Sequence, residues 1–176
     1  MDKRVATSKI GSIGTFEIRR ASLADVDRIA AAHRDSIRSI GARYYEPETV
    51  NDWGRHVDGT LYVKAMTRGA VFYVAIGQLE DKTEVLGFSS HALDGTAHRT
   101  AVYVRGQVAR LGIGSALFRT AETAAMAAGA DSIHVEASLA AFQFYKAVGF
   151  EEIGRGDHRL PSGHSMACVF MRKKLL

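Results

Sequence analysis

Apolar positions follow two different spacings along this chain. Upstream of Gly69 they recur at every third or fourth residue, whereas downstream of it they alternate with polar residues in runs typical of strands. Residues 1–14 show neither spacing and mix charge with serine and glycine, so we predict a flexible N-terminal tail there. The alternation over residues 16–19 predicts a first strand.

Two helices are predicted between the first strand and the alternating stretch. Ser22 and Asp25 have the spacing of a capping box, and the apolar stripe that follows includes His33. A histidine on such a stripe is either packed and hydrogen-bonded in the core or faces a cleft, and we favour the packed position. Gly41 ends this helix, and Pro47 suits the first turn of the next.

The rest of the chain predicts a sheet with interspersed helices. After a further helical turn, the segments are strands over residues 70–78, 85–93 and 100–104, a helix over 115–128, a strand over 133–137, a helix over 140–148, and strands over 150–156 and 164–173. This order predicts an α/β (α+β) fold, with a central mixed, mostly antiparallel sheet and helices on both faces.

Length, composition and charge narrow the class of protein. A chain of 176 residues with 47% apolar and 24% charged residues fits one globular domain, which we place at residues 15–176. Its net charge of +4 comes from scattered basic residues, so no nucleic-acid partner is predicted. Cys168 lies in an apolar run and is predicted to be a buried, inert thiol. Because no signal core or membrane-length segment is present, we expect a cytoplasmic protein without a membrane partner.

Residues 102–117 combine an apolar strand end, two closely spaced glycines and the start of a helical repeat. A glycine-rich turn between strand and helix leaves the first amides of the helix without acceptors, next to the positive end of the helix dipole. Gly112 and Gly114 let a ligand approach the backbone, and Arg110 and Ser115 add a cation and a hydroxyl. The turn predicts an anion site, although tight packing alone also explains two glycines.

Several other chemistries fit the sequence poorly. A dinucleotide-binding fingerprint needs a third small residue where Leu117 stands, and a P-loop needs a Gly-Lys-Ser/Thr sequence that is absent. The histidines are dispersed without metal-ligand spacing, so no metal is predicted. Ser89 and Ser90 lack the strand–turn–helix context of a nucleophilic serine.

Two motifs, one within residues 102–117 and one downstream of it, resemble the same family. The hexapeptide Ala109-Arg110-Leu111-Gly112-Ile113-Gly114 is similar to the Q/R-x-x-G-x-G/A motif of the GNAT superfamily of acyl-CoA-dependent N-acetyltransferases. Downstream, Ser138 and Ala141 precede Phe144-Tyr145 and Gly149-Phe150, which resembles the second signature of that family. Both halves occur in order, and as an architecture the resemblance covers the whole predicted domain.

The resemblance implies acetyl-CoA as the cosubstrate, bound without a metal. It implies that backbone amides hold the pyrophosphate and that the main chain of one strand runs along the pantetheine arm. It also implies that two residues line the arm on the side opposite that strand. The implied residues are, in that order, Arg110, Leu111, Gly112, Ile113, Gly114 and Ser115; Val102, Tyr103 and Val104; and Ser138 and Ala141. Ala109 departs from the usual Gln or Arg, so we expect weaker support for the turn.

The implied reaction needs a partner for the leaving thiolate and an acceptor for the amine proton. The resemblance places Tyr145 near the thioester sulfur, with a tyrosine packed on the sheet as the alternative. A phenol pKa of ~10 against ~8.5 for a thiol favours a hydrogen bond over full proton transfer. For the base, Glu136 is the first candidate and His98 the second, although Glu136 could simply face solvent.

The resemblance implies that the first helices and the loop between them shape the acceptor site. His33, Tyr44, Tyr45 and Trp53 fall in that region, and His98 is a further candidate for contact with the substrate. The acceptor stays open among polyamines, aminoglycosides, amino acids, peptides and proteins. We predict direct acetyl transfer to an amine in a ternary complex, since no cysteine is placed to form an acyl-enzyme.

Two other functions stay open at this level. One is a catalytically silent acyl-CoA-binding sensor or scaffold, which Tyr145→Phe would distinguish from an enzyme by its effect on turnover. The other is a nucleotide-binding regulatory domain that prefers ATP or NAD to CoA. The small size of the chain leaves a homodimer open.

Overall fold

The computed structural model describes residues 5–10 and 14–175. The strands are β1 (Val5–Ile10), β2 (Gly14–Arg20), β3 (Val71–Leu79), β4 (Lys82–Asp94), β5 (Ala97–Val104), β6 (Ser132–Ser138), β7 (Glu151–Arg159) and β8 (Ser165–Lys174). The α-helices are α1 (Val26–Ser39), α2 (Pro47–Arg55), α3 (Gly59–Thr67), α4 (Ile113–Ala127) and α5 (Phe142–Ala147). Over these residues the strands form one eight-stranded sheet in the order β1-β2-β3-β4-β5-β6-β8-β7.

Asp25 fixes the start of α1 through the predicted capping box. The Ser22 N–H donates to Asp25 Oδ2 at 2.9 Å, and the carboxylate also accepts from Arg19 at 2.8 Å and from Arg28 at 2.7 Å. The hydrogen bonds from Arg19 hold the pKa of Asp25 well below its ordinary value, against the opposing effect of burial. α1 is thereby anchored to the end of β2.

Neighbouring strands of the sheet run antiparallel with a single exception in the described chain. β5 and β6 run parallel and share only the register pair Arg99↔His134, close to their N-terminal ends. β5 is paired on its other edge with β4 along its whole length. The sheet therefore has a gap where β5 and β6 separate, between Val104 and Ser138.

Helices cover both faces of the sheet. On β4, Phe88 packs in the cluster that contains α1 and α2 residues, whereas the neighbouring Ser89 donates to the Leu117 carbonyl of α4 at 2.8 Å. Successive residues of a strand point to opposite faces, so α1 and α4 lie on opposite sides. α5 lies on the α4 side, since its Tyr145 shares a cluster with Phe118 of α4.

The predicted fold class is confirmed, because the sheet is mixed and mostly antiparallel with helices on both faces. One correction concerns the predicted tail. Residues 5–10 form β1, which pairs antiparallel with β2. Residues 1–4 and 11–13 of that tail lie outside the described residues, and the division into tail and domain stays a prediction.

Two helices are longer than predicted. α3 is a complete helix rather than a further turn, because the Asp58 side chain caps it by accepting from the Thr60 and Leu61 N–H groups. α4 begins at Ile113, earlier than predicted, with Gly112 as its N-cap. Within the described part of the chain, every helix is too short or too polar to traverse a lipid bilayer.

Candidate active site

The turn between β5 and α4 exposes a row of backbone amides. Arg110 and Gly112 both have left-handed backbone conformations, with φ of 64° and 83°. The first hydrogen bond of the helix runs from the Ala116 N–H to the Gly112 carbonyl. No described residue accepts a hydrogen bond from the amides of residues 110–115. A concave row of free amides at a helix N-terminus is the geometry that anions require.

The two glycines of this turn have different physical roles. At Gly112 the φ of 83° favours glycine, although a Cβ there would meet no atom within 4 Å. At Gly114 a Cβ would lie 3.2 Å from the Phe144 ring and 3.5 Å from Val104. Gly114 therefore lets α4 approach α5 and the end of β5, which places the turn beside the gap in the sheet.

The gap between β5 and β6 holds a cavity of about 290 Å³. Four of the residues implied to contact acyl-CoA form part of its wall, together with polar side chains from both strands and from β7. The wall includes Val102, Tyr103, Ser138, Ala141, Tyr145, Arg99, His134, Glu136 and His158. Val104 and the turn at residues 110–115 lie beyond this wall, on the α4 side.

β5 offers main-chain groups to the gap only at alternate residues. The Val102 N–H points into the gap, where it donates to the Tyr145 hydroxyl at 3.0 Å, whereas the Arg105 N–H donates back to β4 at 2.9 Å. Because main-chain groups alternate between the two edges of a strand, Val104 shares the direction of Val102, and Tyr103 that of Arg105. Val102 and Val104 can therefore bind a ligand through their main chain, and the main-chain role predicted for Tyr103 does not fit this geometry.

Tyr145 lies at the gap, with its ring buried and its hydroxyl at the cavity wall. Phe144 and Phe150 hold the ring by edge contacts at 5.1 Å and 5.2 Å between centroids. The hydroxyl accepts from Val102 and donates to no described residue, so its proton is free to meet a ligand. Burial raises the pKa of Tyr145 above its ordinary value, so the phenol is protonated at pH 7.

Glu136 lines the same cavity, and both of its carboxylate oxygens are engaged. Oε1 accepts from Arg99 Nη1 at 3.2 Å, and Oε2 lies 2.8 Å from His158 Nδ1. Arg99 also donates from Nε to the Asp94 carboxylate at 2.9 Å. We refer to Asp94, Arg99, Glu136 and His158 as the polar chain, which runs from the end of β4 across β5 and β6 to β7.

His98 points away from the polar chain. Because Arg99 reaches Glu136 on one face of the sheet, its neighbour His98 points to the other face. There His98 Nδ1 lies 2.8 Å from His91 Nε2, and the two rings are stacked. His98 does not line the cavity. Its predicted roles as a base and as a substrate contact are therefore corrected, since strand alternation turns the side chain away.

His33 is a core residue rather than a substrate contact. Its Nδ1 lies 2.7 Å from the Tyr62 hydroxyl, and its ring centroid lies 3.8 Å from that of Tyr103. The residue is 8% exposed, and burial lowers the pKa of His33 to about 3, so the imidazole is neutral at pH 7. Its Nε2 has no hydrogen-bond partner among the described residues. Of the two positions considered for His33, the structure supports the packed, hydrogen-bonded position in the core rather than one facing a cleft.

Tyr44 and Tyr45 have different environments. The Tyr45 hydroxyl donates to the Ala167 carbonyl and accepts from the Leu139 N–H, both at 2.7 Å, and its ring meets Trp53 edge-on. Tyr45 therefore joins the α1–α2 loop to β8 and to the end of β6. Tyr44 is 53% exposed, and its side chain makes no hydrogen bond or ring contact within the described chain. Neither tyrosine lines the cavity, and their contact with a substrate stays a prediction.

Sequence reasoning missed Asp94, Arg99 and His158 as members of the site. They stand on different strands, and no local spacing relates them to Glu136. The strand predicted over residues 150–156 also stops short of His158, whereas β7 extends to Arg159. The register of β6, β8 and β7 puts Glu136, paired with Phe170, and His158, paired with Met166, on the same face of the sheet. There the two side chains meet across β8.

Other reactive groups are scarce. In the part of the chain that the structure describes, no group of three or more His, Cys, Asp or Glu side chains is placed to hold a metal. Cys168 is a buried free thiol, and burial raises the pKa of that thiol. It is therefore not an activated nucleophile.

Comparison with known proteins identifies the family of this fold. A family model described as an acetyltransferase (GNAT) domain matches residues 42–173 of the chain. The chain belongs to the GNAT family. The match to this GNAT domain extends from the α1–α2 loop to the end of β8. Members of the family are in general enzymes that transfer acetyl groups to amines. No protein of curated description matches the chain significantly.

Solved structures share the fold of this GNAT domain. A GCN5-related N-acetyltransferase from Rhodopseudomonas palustris is 24% identical, covering 97% of this chain and 99% of that one with a TM-score of 0.76. The PaiA N-acetyltransferase from Thermoplasma acidophilum, in complex with coenzyme A, is 19% identical over 91% and 99%, with a TM-score of 0.70. YncA, a putative acetyltransferase from Salmonella typhimurium with acetyl-CoA, is 17% identical over 92% and 94%, with a TM-score of 0.63. At these identities the likeness shows the fold.

Proposed function

We propose that this protein transfers an acetyl group from acetyl-CoA directly to an amine in a ternary complex. The observation that carries the proposal is that the free amides of residues 110–115 and the hydroxyl of Tyr145 lie beside one gap in the sheet. Family membership supports an acetyl-CoA cosubstrate, as do two structural neighbours that hold coenzyme A or acetyl-CoA.

The turn at residues 110–115 binds the pyrophosphate in this proposal. Free amides, the helix dipole and the exposed guanidinium of Arg110 all favour an anion there. Ala109 adds no side-chain donor, and its N–H closes the preceding turn by donating to the Gly106 carbonyl at 3.3 Å. Because the other contacts come from the backbone, the departure at Ala109 weakens the support of the turn without removing a donor.

The walls of the gap bind the pantetheine arm. Val102 and Val104 direct main-chain groups into the gap from β5, and Ser138 and Ala141 line it from the other side. The arm would then end beside the hydroxyl of Tyr145, whose proton has no acceptor within the described chain. In this proposal the acetyl group lies between Tyr145 and the polar chain.

The reaction uses Tyr145 as a hydrogen-bond donor. The amine nitrogen forms a bond to the thioester carbon, and the carbon–sulfur bond breaks with its electron pair on sulfur. The Tyr145 O–H then stabilises the developing thiolate. Full proton transfer from the phenol is unfavourable because burial raises the pKa of Tyr145 further above that of a thiol. Water therefore supplies the proton that sulfur finally takes up.

Calorimetry with acetyl-CoA, followed by assays of thiol release, tests the proposal. The amine panel contains a polyamine, an aminoglycoside, free amino acids and a peptide with a free N-terminus. We expect binding of acetyl-CoA and thiol release with at least one amine. Binding without thiol release would identify a silent CoA-binding module, and stronger thermal stabilisation by ATP or NAD than by CoA would identify a nucleotide-binding regulator. The cytoplasmic location and the homodimer stay predictions.

A further inference from the structure

Both carboxylate oxygens of Glu136, the first candidate for the base in the sequence, are in contact with other members of the polar chain. Glu136 Oε1 accepts from Arg99, and Oε2 is in contact with His158. Arg99 is itself held by Asp94, so the guanidinium stays against Glu136. A carboxylate whose two oxygens already accept hydrogen bonds has less capacity to take a proton from a substrate. Glu136 is therefore better placed to orient a neighbour than to act directly.

His158 has a nitrogen that is free to accept a proton, whereas both carboxylate oxygens of Glu136 are already occupied. Because a carboxylate only accepts hydrogen bonds, the 2.8 Å contact with Glu136 places the proton of the neutral imidazole on Nδ1. Nε2 then carries the lone pair, and it contacts no polar atom of the described residues. The side chain is 45% exposed and lines the cavity that also contains the Tyr145 hydroxyl.

We propose that His158 Nε2 accepts the proton of the acceptor amine, with Glu136 as its positioning residue. This inference rests on the proposed acetyl transfer and names the group that completes it. Arg99 holds Glu136 in place and does not touch the substrate. Other charged or titratable groups on this face of the sheet include Asp94 on β4, Tyr103 on β5, His134 on β6, Glu151 on β7, and Cys168, Arg172 and Lys174 on β8.

The proton balance of the reaction follows from this assignment. As the amine nitrogen bonds to the carbonyl carbon, the carbon–sulfur bond breaks and its electron pair stays on sulfur. The proton on the amine nitrogen passes to His158 Nε2. The thiolate, hydrogen-bonded by Tyr145, takes a proton from water, and the imidazolium returns its proton to water. The resting protein is restored, and the products are an N-acetylamine and a free thiol.

A purely structural contact between β6 and β7 is the competing explanation. β8 lies between these strands, so the contact between Glu136 and His158 crosses a whole strand over the cavity face. Hydrogen-bonded ion pairs that stay this exposed contribute little to stability. A structural role therefore predicts a small change in melting temperature after substitution and an unchanged pH dependence of acetyl transfer.

The pH dependence of kcat/KM for an accepted lysine-like amine separates the two explanations. Deprotonation of the amine alone raises kcat/KM tenfold per pH unit, and a histidine base adds a second factor of up to ten per unit over the acidic range in which its ring takes up a proton. We expect His158→Gln to lower kcat/KM about 100-fold and to remove the second factor. Added imidazole should partly restore His158→Ala.

His134→Gln is the matched control, because His134 lines the same cavity without contacting a carboxylate. It should keep the steeper pH dependence at acidic pH. If His158→Gln retained kcat/KM within about twofold and kept the steeper limb, the inference would be overturned while acetyl transfer stood. Calorimetry on each variant measures acetyl-CoA binding. Lost turnover with intact binding is attributed to the base, whereas lost binding is attributed to the acetyl-CoA site.

The tautomer of His158 provides a test that needs no turnover. Nitrogen-15 NMR of the neutral ring should show its proton on Nδ1, held there by Glu136. Glu136→Ala should release the ring toward the tautomer protonated on Nε2. A wild-type His158 that carries its proton on Nε2 would overturn the inference even if no amine had been acetylated.

Discussion

The aromatic cluster beneath α1 and the cavity between β5 and β6 both contain histidine and tyrosine side chains. In the cluster these side chains are packed in the core, whereas in the cavity they are accessible to a ligand. In the cluster, His33 contacts the Tyr62 hydroxyl, and burial keeps the imidazole neutral. In the cavity, His158 Nε2 and the proton of the Tyr145 hydroxyl have no partner within the described chain and lie at the cavity wall. The unpartnered Nε2 of His33, in contrast, is buried. Histidine and tyrosine are structural in the first region and available for chemistry in the second.

The pairing of the strands explains this difference. β4 and β5 pair continuously, so Phe88 and Tyr103 stack at 5.4 Å and α1 closes over them. β5 and β6 share only the pair Arg99↔His134, so no continuous layer forms between them. Substitutions in the cluster should therefore change stability, whereas substitutions at the cavity should change turnover.

The largest effect is expected from Tyr145→Phe, which removes the hydroxyl at the cavity and keeps the ring. Turnover should fall about 100-fold with acetyl-CoA affinity changed less than about twofold, because the lost group acts on the thiolate. Thiol-release kinetics and calorimetry measure the two quantities. Tyr73→Phe, on β3, is the control and should retain wild-type turnover. Near-normal turnover in Tyr145→Phe would show that Tyr145 is only a packed ring.

His33 should make the stability of the fold depend on pH. Below about pH 6.5 the unfolded histidine takes up a proton, whereas the pKa of about 3 keeps the folded one neutral. Stability should therefore fall as pH decreases, by up to about 1.4 kcal/mol per pH unit, or about 2.5 kcal/mol between pH 6.5 and 4.5. Urea unfolding measures this slope. His33→Gln should reduce it, and the exposed His56→Gln should not. Equal slopes in the two variants would contradict the burial of His33.

Gly112 and Gly129 form a matched pair at the two ends of α4. Both have positive φ, 83° and 85°, and at neither would a Cβ meet an atom within 4 Å. Alanine should cost about 1–2 kcal/mol of stability at either position, because the left-handed conformation is strained. Only Gly112→Ala should also weaken acetyl-CoA binding, by about tenfold or ~1.4 kcal/mol, because it disturbs the free amides. Calorimetry showing equal losses of affinity in both variants would argue against the turn as the donor site.

The smallest effect that we expect is a difference in stability between Tyr44→Phe and Tyr45→Phe. Tyr45→Phe removes a hydroxyl that joins Ala167 and Leu139, so it should cost about 1 kcal/mol in the free energy of unfolding. Tyr44→Phe, at an exposed position, should stay within about 0.5 kcal/mol of wild type. Thermal unfolding of both variants measures the difference. A larger loss in Tyr44→Phe would show that the α1–α2 loop packs differently.

The sequence by itself determined the order of elements apart from β1, and it located the turn that we propose as the donor site. Local spacing encodes backbone conformation, so the capping box at Ser22 and Asp25 and the glycine turn at residues 110–115 could be located from sequence alone. The motif around Gly112 also led to the family. A site built from backbone amides, as proposed for this turn, depends on the backbone conformation more than on the neighbouring side chains. The bounds of several elements needed correction, among them β1, α3, α4 and β7.

Tertiary structure alone decided which side chains face the gap. His33, His98 and His158 are equivalent in the sequence. In the fold, α1 buries the first, strand alternation turns the second to the other face, and the β6–β8–β7 register puts the third on the face of Glu136. The physical reason is that strand pairing joins residues far apart in the chain, and a shift of one residue would reverse the face of every side chain. Local spacing holds no information on that register.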